Sequence, residues 1–168
     1  VSRLQRAGHE SYFVGGAVRD FLRGVTPGDY DIATGALPGE VAALFDRTVS
    51  VGARFGVMMV VSEGFSFEVA TFRSDDVYED GRRQYASARE DALRRDFTVN
   101  GLFLDPESGD LLDYVGGRAD LAKKIIRAII PSFSHFVKYS SKSARGHKSV
   151  SFEVCICTTL PLSAVFVP

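Results

Sequence analysis

Cysteine is almost missing from this chain: of 168 residues only Cys155 and Cys157 are cysteines, two apart near the C-terminus. A lone Cys-X-Cys has no second pair to complete a zinc site. A disulfide across that spacing would be strained, so the two read as inert thiols. Histidine is scarce too. His9, His135 and His147 are scattered and make no metal cluster. The net charge of -1 carries no global basic signature of nucleic-acid binding, so any RNA contact requires a local basic patch or a further domain. No apolar run reaches the length of a membrane span. No signal peptide is apparent, and the chain opens on Val1, with Ser2 to His9 reading as the end of an amphipathic helix whose start has been lost. The expectation is a single, ordinary globular domain of cytoplasmic location with no membrane partner.

Against these absences stands a dense first third. Phe13 and Val14 are strand formers, and Gly15-Gly16 ends the strand. Two residues without a Cβ permit positive φ and let a ligand approach the backbone. Ala17 to Leu22 then reads as a short helix with Val18, Phe21 and Leu22 on one face. Free N–H groups at a helix start suit an anion, and Arg19 offers a planar grip on phosphate. Taken alone, this equally describes a tight strand-to-helix turn with a surface arginine.

Carboxylates follow. Gly28 to Thr34 reads as a turn feeding a strand, which points Asp29 and Asp31 to one face. Side by side they repel unless a cation lies between them, and hard oxygen ligands favour Mg²⁺. Gly56 to Val61 and Phe65 to Phe72 read as two strands joined at Ser62-Glu63-Gly64, with Glu68 on one face of an otherwise apolar strand. If that strand lies beside the one bearing Asp29 and Asp31, three carboxylates can share a metal pair of the kind that clamps an in-line displacement.

Further along, Pro38 to Phe45 reads as a helix with Val41, Leu44 and Phe45 inward and Pro38 at its first position. Asp75 to Ala86 is polar and reads as a mobile loop. Ser87 and Glu90 have capping-box spacing at the start of a helix with Ala88, Ala92 and Leu93 as apolar positions. Arg94-Arg95 then falls at its C-terminal end, where the helix dipole favours cations. Leu102 to Asp105 and Asp110 to Asp113 form a hairpin around Pro106 to Gly109.

Five ordered segments carry a resemblance. They are Gly15-Gly16-Ala17-Val18-Arg19-Asp20, Gly28-Asp29-Tyr30-Asp31-Ile32-Ala33-Thr34, Phe67 to Arg73, Arg94 to Gly101, and Asp113 to Leu121 ending at Ile126-Arg127. Together they resemble the head domain that class II tRNA nucleotidyltransferases, the CCA-adding enzymes, share with bacterial poly(A) polymerases in the DNA polymerase β superfamily. The resemblance implies an α+β fold, a mixed sheet flanked by helices, over residues 1–128. It implies Gly15, Gly16 and Arg19 at the triphosphate of an incoming CTP or ATP, and Asp29 and Asp31 as Mg²⁺ ligands. Glu68 would complete the catalytic acids. Arg95, Asp96 and Asn100 would bind the nucleotide. The implied partner is tRNA or another RNA 3′ end, whose hydroxyl attacks the α-phosphate. CCA addition and poly(A) addition share every one of these segments, and Val51 to Val57 leans toward the CCA type.

Residues 129–168 do not continue the pattern. The family's helical neck, with its base-selecting acidic and arginine residues, has no counterpart after Arg127. A serine-lysine stretch and an apolar run from Phe152 to Pro168 stand there instead. The tail reads as a frameshifted or misjoined segment, or as a divergent extension. A nucleotide-binding fragment without productive turnover is therefore the alternative function.

Overall fold

A computed structural model describes residues 1–52, 56–73 and 86–129. The expected loop over Asp75 to Ala86 falls, but for its last residue, outside these ranges, as do Cys155, Cys157 and all of the tail beyond Ile129. The elements run α1 (Ser2–Arg6), β1 (Ser11–Val14), α2 (Gly16–Leu22), β2 (Asp31–Thr34), α3 (Pro38–Leu44), β3 (Thr48–Gly52), β4 (Val57–Ser62) and β5 (Phe65–Thr71). They continue with α4 (Ala88–Leu93), a 3₁₀ turn (Thr98–Asn100), β6 (Leu102–Leu104), β7 (Leu111–Asp113) and α5 (Gly117–Ala122).

The strands form one seven-stranded sheet in the order β3-β4-β5-β2-β1-β6-β7. It is mixed, as expected: β2 and β5 run parallel, and the other described pairings are antiparallel. Local chemistry explains the hairpins. Glu63 and Gly64 both take positive φ, 52° and 83°, which is the geometry a two-residue turn between twisted strands requires. The β6–β7 turn is held by the Asp105 carboxylate, which accepts the backbone N–H of Glu107 at 2.8 Å. The parallel pair cannot be closed by a tight turn, and here α3, β3 and β4 make the connection.

Both sheet faces are covered, and strand alternation sorts the residues between them. Ile32, Val69, Met58 and Val60 pack with Leu4 of α1 and Val41 of α3. Val14, Ala33, Phe72 and Phe103 pack on the other face with Ala88 and Ala92 of α4. Asp31 is two residues from Ala33 along β2, so it shares the α4 face.

Three local expectations shift. Asp29 lies in a bend before β2 rather than within the strand, so strand alternation alone does not pair it with Asp31. In α2 the buried positions are Ala17 and Val18, whereas Phe21 and Leu22 are 59% and 38% exposed. The helix is two turns long and presses only its first turn into the sheet. In α4 the inward positions are Ala88, Asp91 and Ala92, and Leu93 points outward. A carboxylate takes the place of an apolar residue because arginines meet it there. The strand β3 has no counterpart in the sequence reading.

Candidate active site

One cross-strand row forms the floor of the site. Glu68 on β5 is the register partner of Asp31 on β2. Asp31 is paired with Val14 on β1, and Val14 with Phe103 on β6. Paired residues on neighbouring strands share a face, so two acids and two apolar side chains line up side by side. The condition attached to Glu68 in the sequence, that its strand lie next to that of Asp31, is met.

Gly15 follows Val14 directly and closes the row from above. Its φ of 68° and ψ of -137° belong to a region reserved for glycine. A Cβ there would lie 3.5 Å from Asp31 Oδ2 and 3.6 Å from Arg95 Nη1, so the missing side chain leaves a cradle between a carboxylate and a guanidinium. Gly16 is different: it is the first residue of α2, and a Cβ would make an ordinary 3.5 Å contact with Arg19 Nη2.

The arginines are held by the second segment. Arg95 donates from Nε and Nη2 to Asp91 Oδ2 at 3.1 and 2.8 Å. Its Nη1 points to the Asn100 carbonyl oxygen at 3.4 Å, and its guanidinium lies 5.0 Å from the centre of the Phe103 ring. Arg19 donates from Nη1 to Asn100 Oδ1 at 3.0 Å and from Nε to Asp20 at 3.0 Å. Asn100 in turn donates from Nδ2 to Asp96 Oδ1 at 3.1 Å. Asn100 thus ties the arginine of the glycine turn to the arginine that follows α4.

Val14, Asp31, Ile32, Glu68 and Ala70 face Arg73, Asp91, Arg94 and Arg95 across an open cavity of about 290 Å³. Its lining sets three carboxylates against three guanidiniums. Partial burial raises the pKa of the Asp31 carboxyl above the ordinary aspartate value, Arg95 opposes that rise, and repulsion from Asp29 adds to it. Among the described residues no three His, Cys, Asp or Glu side chains converge tightly enough to hold a metal ion between them. The expected three-acid cluster is therefore not gathered at one point. The donor set that is present, Asp31 beside Glu68 with Asp29 within electrostatic reach, still suits Mg²⁺, which takes one or two carboxylates and completes its shell with water and substrate phosphates.

The glycine turn, Arg19, Asp31, Glu68, Arg95, Asp96 and Asn100 thus form one contiguous region. Asp91 escaped the sequence reading, although its position four residues before Arg95 on a helix is the spacing at which a carboxylate meets a guanidinium. The third segment lines none of this cavity. Asp113 caps α5 by accepting the backbone N–H groups of Gly116 and Gly117 at 2.8 and 2.9 Å. Buried Asp120 accepts from Arg127 Nε at 2.9 Å and from the Thr98 hydroxyl at 2.7 Å. These residues brace the 3₁₀ turn that ends in Asn100.

The CCA-adding enzyme of Geobacillus thermodenitrificans (strain NG80-2) is 44% identical over 156 residues, covering 90% of this chain and 38% of that protein. The crystal structure of the Bacillus stearothermophilus CCA-adding enzyme in complex with CTP is similar with a TM-score of 0.69 and 44% identity, over 77% of this chain and 31% of that one. A tRNA nucleotidyltransferase complexed with a primer tRNA and an incoming ATP analog gives a TM-score of 0.64 at 32% identity, over 77% and 38% of the two chains. The chain therefore spans between about three tenths and two fifths of the length of these relatives. The model of the poly A polymerase head domain matches residues 11–127, from the first residue of β1 to the arginine that anchors Asp120, and the chain belongs to that family.

Proposed function

We propose that this chain is the catalytic head, residues 1–128, of a cytoplasmic nucleotidyltransferase that adds CCA to the 3′ end of tRNA from CTP and ATP. The observation that carries the reading is the row of Glu68, Asp31, Val14 and Phe103, with Gly15 and Arg95 closing over it. The reading is supported because acids able to serve a cation stand beside a cradle and guanidiniums able to serve a triphosphate. Mg²⁺ would be held at Asp31 and Asp29 with Glu68 adjacent, and when bound it supplies charge neutralisation at the reacting phosphate.

The remaining work falls to the chain's own groups. Gly15 and Gly16 let the phosphate chain lie against the backbone. Arg19 and Arg95 grip its oxygens with planar, permanently charged forks. Asn100 and Asp96 set the position of those forks and border the pocket for the sugar. Holding the α-phosphate in this frame orients it for in-line attack by the RNA 3′-oxygen, with pyrophosphate as the leaving group. The names of the relatives, CCA-adding enzymes, support tRNA as the acceptor. The description of the matching head domain favours poly(A) addition as the second reading.

Incubation with Mg²⁺, labelled CTP or ATP, and tRNA lacking its 3′ end tests the assignment. Unselective addition, or Mg²⁺-dependent nucleotide binding without addition, is the outcome expected of residues 1–128 acting as a head on their own. Ordered addition of C, C and A would show that selection resides in this chain after all, and a run of A alone would favour the poly(A) reading. Absence of both addition and nucleotide binding overturns the proposal. Asp31→Ala is expected to abolish any Mg²⁺-dependent signal, and persistence of that signal refutes the assigned metal position.

A further inference from the structure

Asp91 is 4% exposed, yet it lines the same cavity as Asp31 and Glu68. A buried carboxylate is costly unless it is well partnered, and here both oxygens are engaged. Oδ2 takes Nε and Nη2 of Arg95. Oδ1 accepts the backbone N–H of Arg73 at 3.2 Å and lies 3.5 Å from Arg94 Nη1. Arg73 lies two residues beyond the end of β5, the strand that carries Glu68. One carboxylate therefore ties the exit of the acid-bearing strand to the arginines across the cavity.

The geometry at Arg95 is selective. Asp91 occupies the Nε–Nη2 edge of the guanidinium, and the Phe103 ring lies beneath it. The Nη1 corner is the one that approaches Gly15. A free arginine loses side-chain entropy when immobilised; Asp91 and Phe103 impose that cost during folding rather than at ligand binding. Asp91 also offsets the repulsion between Arg94 and Arg95 at the cavity wall.

We infer that Asp91 is a positioning residue for nucleotide binding: it holds Arg95 with its Nη1 corner presented to the triphosphate, and acts through Arg95 rather than on the ligand. The inference rests on the reading of the cavity as a nucleotide site.

A double-mutant cycle on the full chain tests it, with CTP in the presence of Mg²⁺ as the probe and affinity measured by calorimetry. Asp91→Asn is expected to weaken CTP binding about tenfold, the effect of one well-placed charge-assisted contact. In an Arg95→Ala background the same change is expected to cost less than twofold. Equal losses in both backgrounds, or unchanged affinity in Asp91→Asn, overturn the inference while leaving the nucleotide site intact. Failure of the unmutated chain to bind CTP overturns the site reading and this inference together. A second measurement needs no folded Asp91 variant. In the unmutated chain the Arg95 Nε–H resonance, assigned by its loss in Arg95→Lys, is expected to exchange slowly with water. A freely exchanging Nε–H overturns the inference.

Discussion

Adjacent glycines that look interchangeable in sequence have opposite physics in the fold. Gly15 has a positive φ and lies between Asp31 and Arg95. Gly15→Ala is expected to cost about 1–3 kcal/mol in backbone strain and to weaken CTP binding at least tenfold, measured by thermal unfolding and calorimetry. Gly16 starts α2 in a helical conformation with room for a methyl group. Gly16→Ala is expected to raise stability by about 0.5–1 kcal/mol through helix propensity, seen as a higher Tm. Gly117, by contrast, is required for packing: a Cβ there would run into the Thr98 carbonyl. Gly117→Ala is expected to destabilise by about 3 kcal/mol, the upper end of overpacking effects, in denaturant unfolding. Residue type announced these positions as special. Which glycine needs its positive φ, which has room for a methyl group and which permits a close approach depends on neighbours up to 80 residues away, such as Arg95 beside Gly15.

Short elements here depend on their caps. Ser87 Oγ accepts the Glu90 N–H at 3.2 Å, and the Glu90 carboxylate returns to the Ser87 N–H at 2.7 Å. Ser87→Ala is expected to cost about 1 kcal/mol in denaturant unfolding, and to lower CTP affinity because α4 carries Asp91. The capping box and the β4–β5 and β6–β7 hairpins were legible because turn and cap chemistry is local. The inward face of α4 was not: hydrophobic periodicity chose Leu93, and a buried ion pair selected Asp91. In α5, hydrogen bonds from Arg127 lower the pKa of Asp120. A carboxyl with a depressed folded pKa contributes stability above its ordinary value of about 3.9. That stability is lost as the pH falls from there through the lower folded value. Asp120→Asn is expected to flatten this part of the acid limb of a stability–pH profile, and an unchanged limb would show that Asp120 does not carry it.

At the level of the whole molecule, the cavity lies between the sheet and the α4 segment. The acids stand on β2 and β5, and the arginines follow β5 and α4, so a ligand that bridges the cavity joins the halves of the domain. CTP with Mg²⁺ at a hundredfold excess over Kd is expected to stabilise the chain by about 2.7 kcal/mol, read as a rise in Tm. Asp31→Ala is expected to remove the rise. The sheet's antiparallel hairpins are nearest-neighbour features. The parallel β2–β5 contact joins strands more than thirty residues apart and has no local signature.

Amino-acid chemistry alone was enough to mark the turn, the acids, the arginines, the caps and the family order of the segments, because each depends on residue type at short spacing. It did not say that Glu68 stands level with Asp31, that Asp29 falls outside the strand, or that Asp91 meets the Nε–Nη2 edge of Arg95. Those relations follow from strand register and helix docking, in which burial of apolar faces over the whole sheet sets the alignment. A shift of one residue along β5 would turn Glu68 to the opposite face.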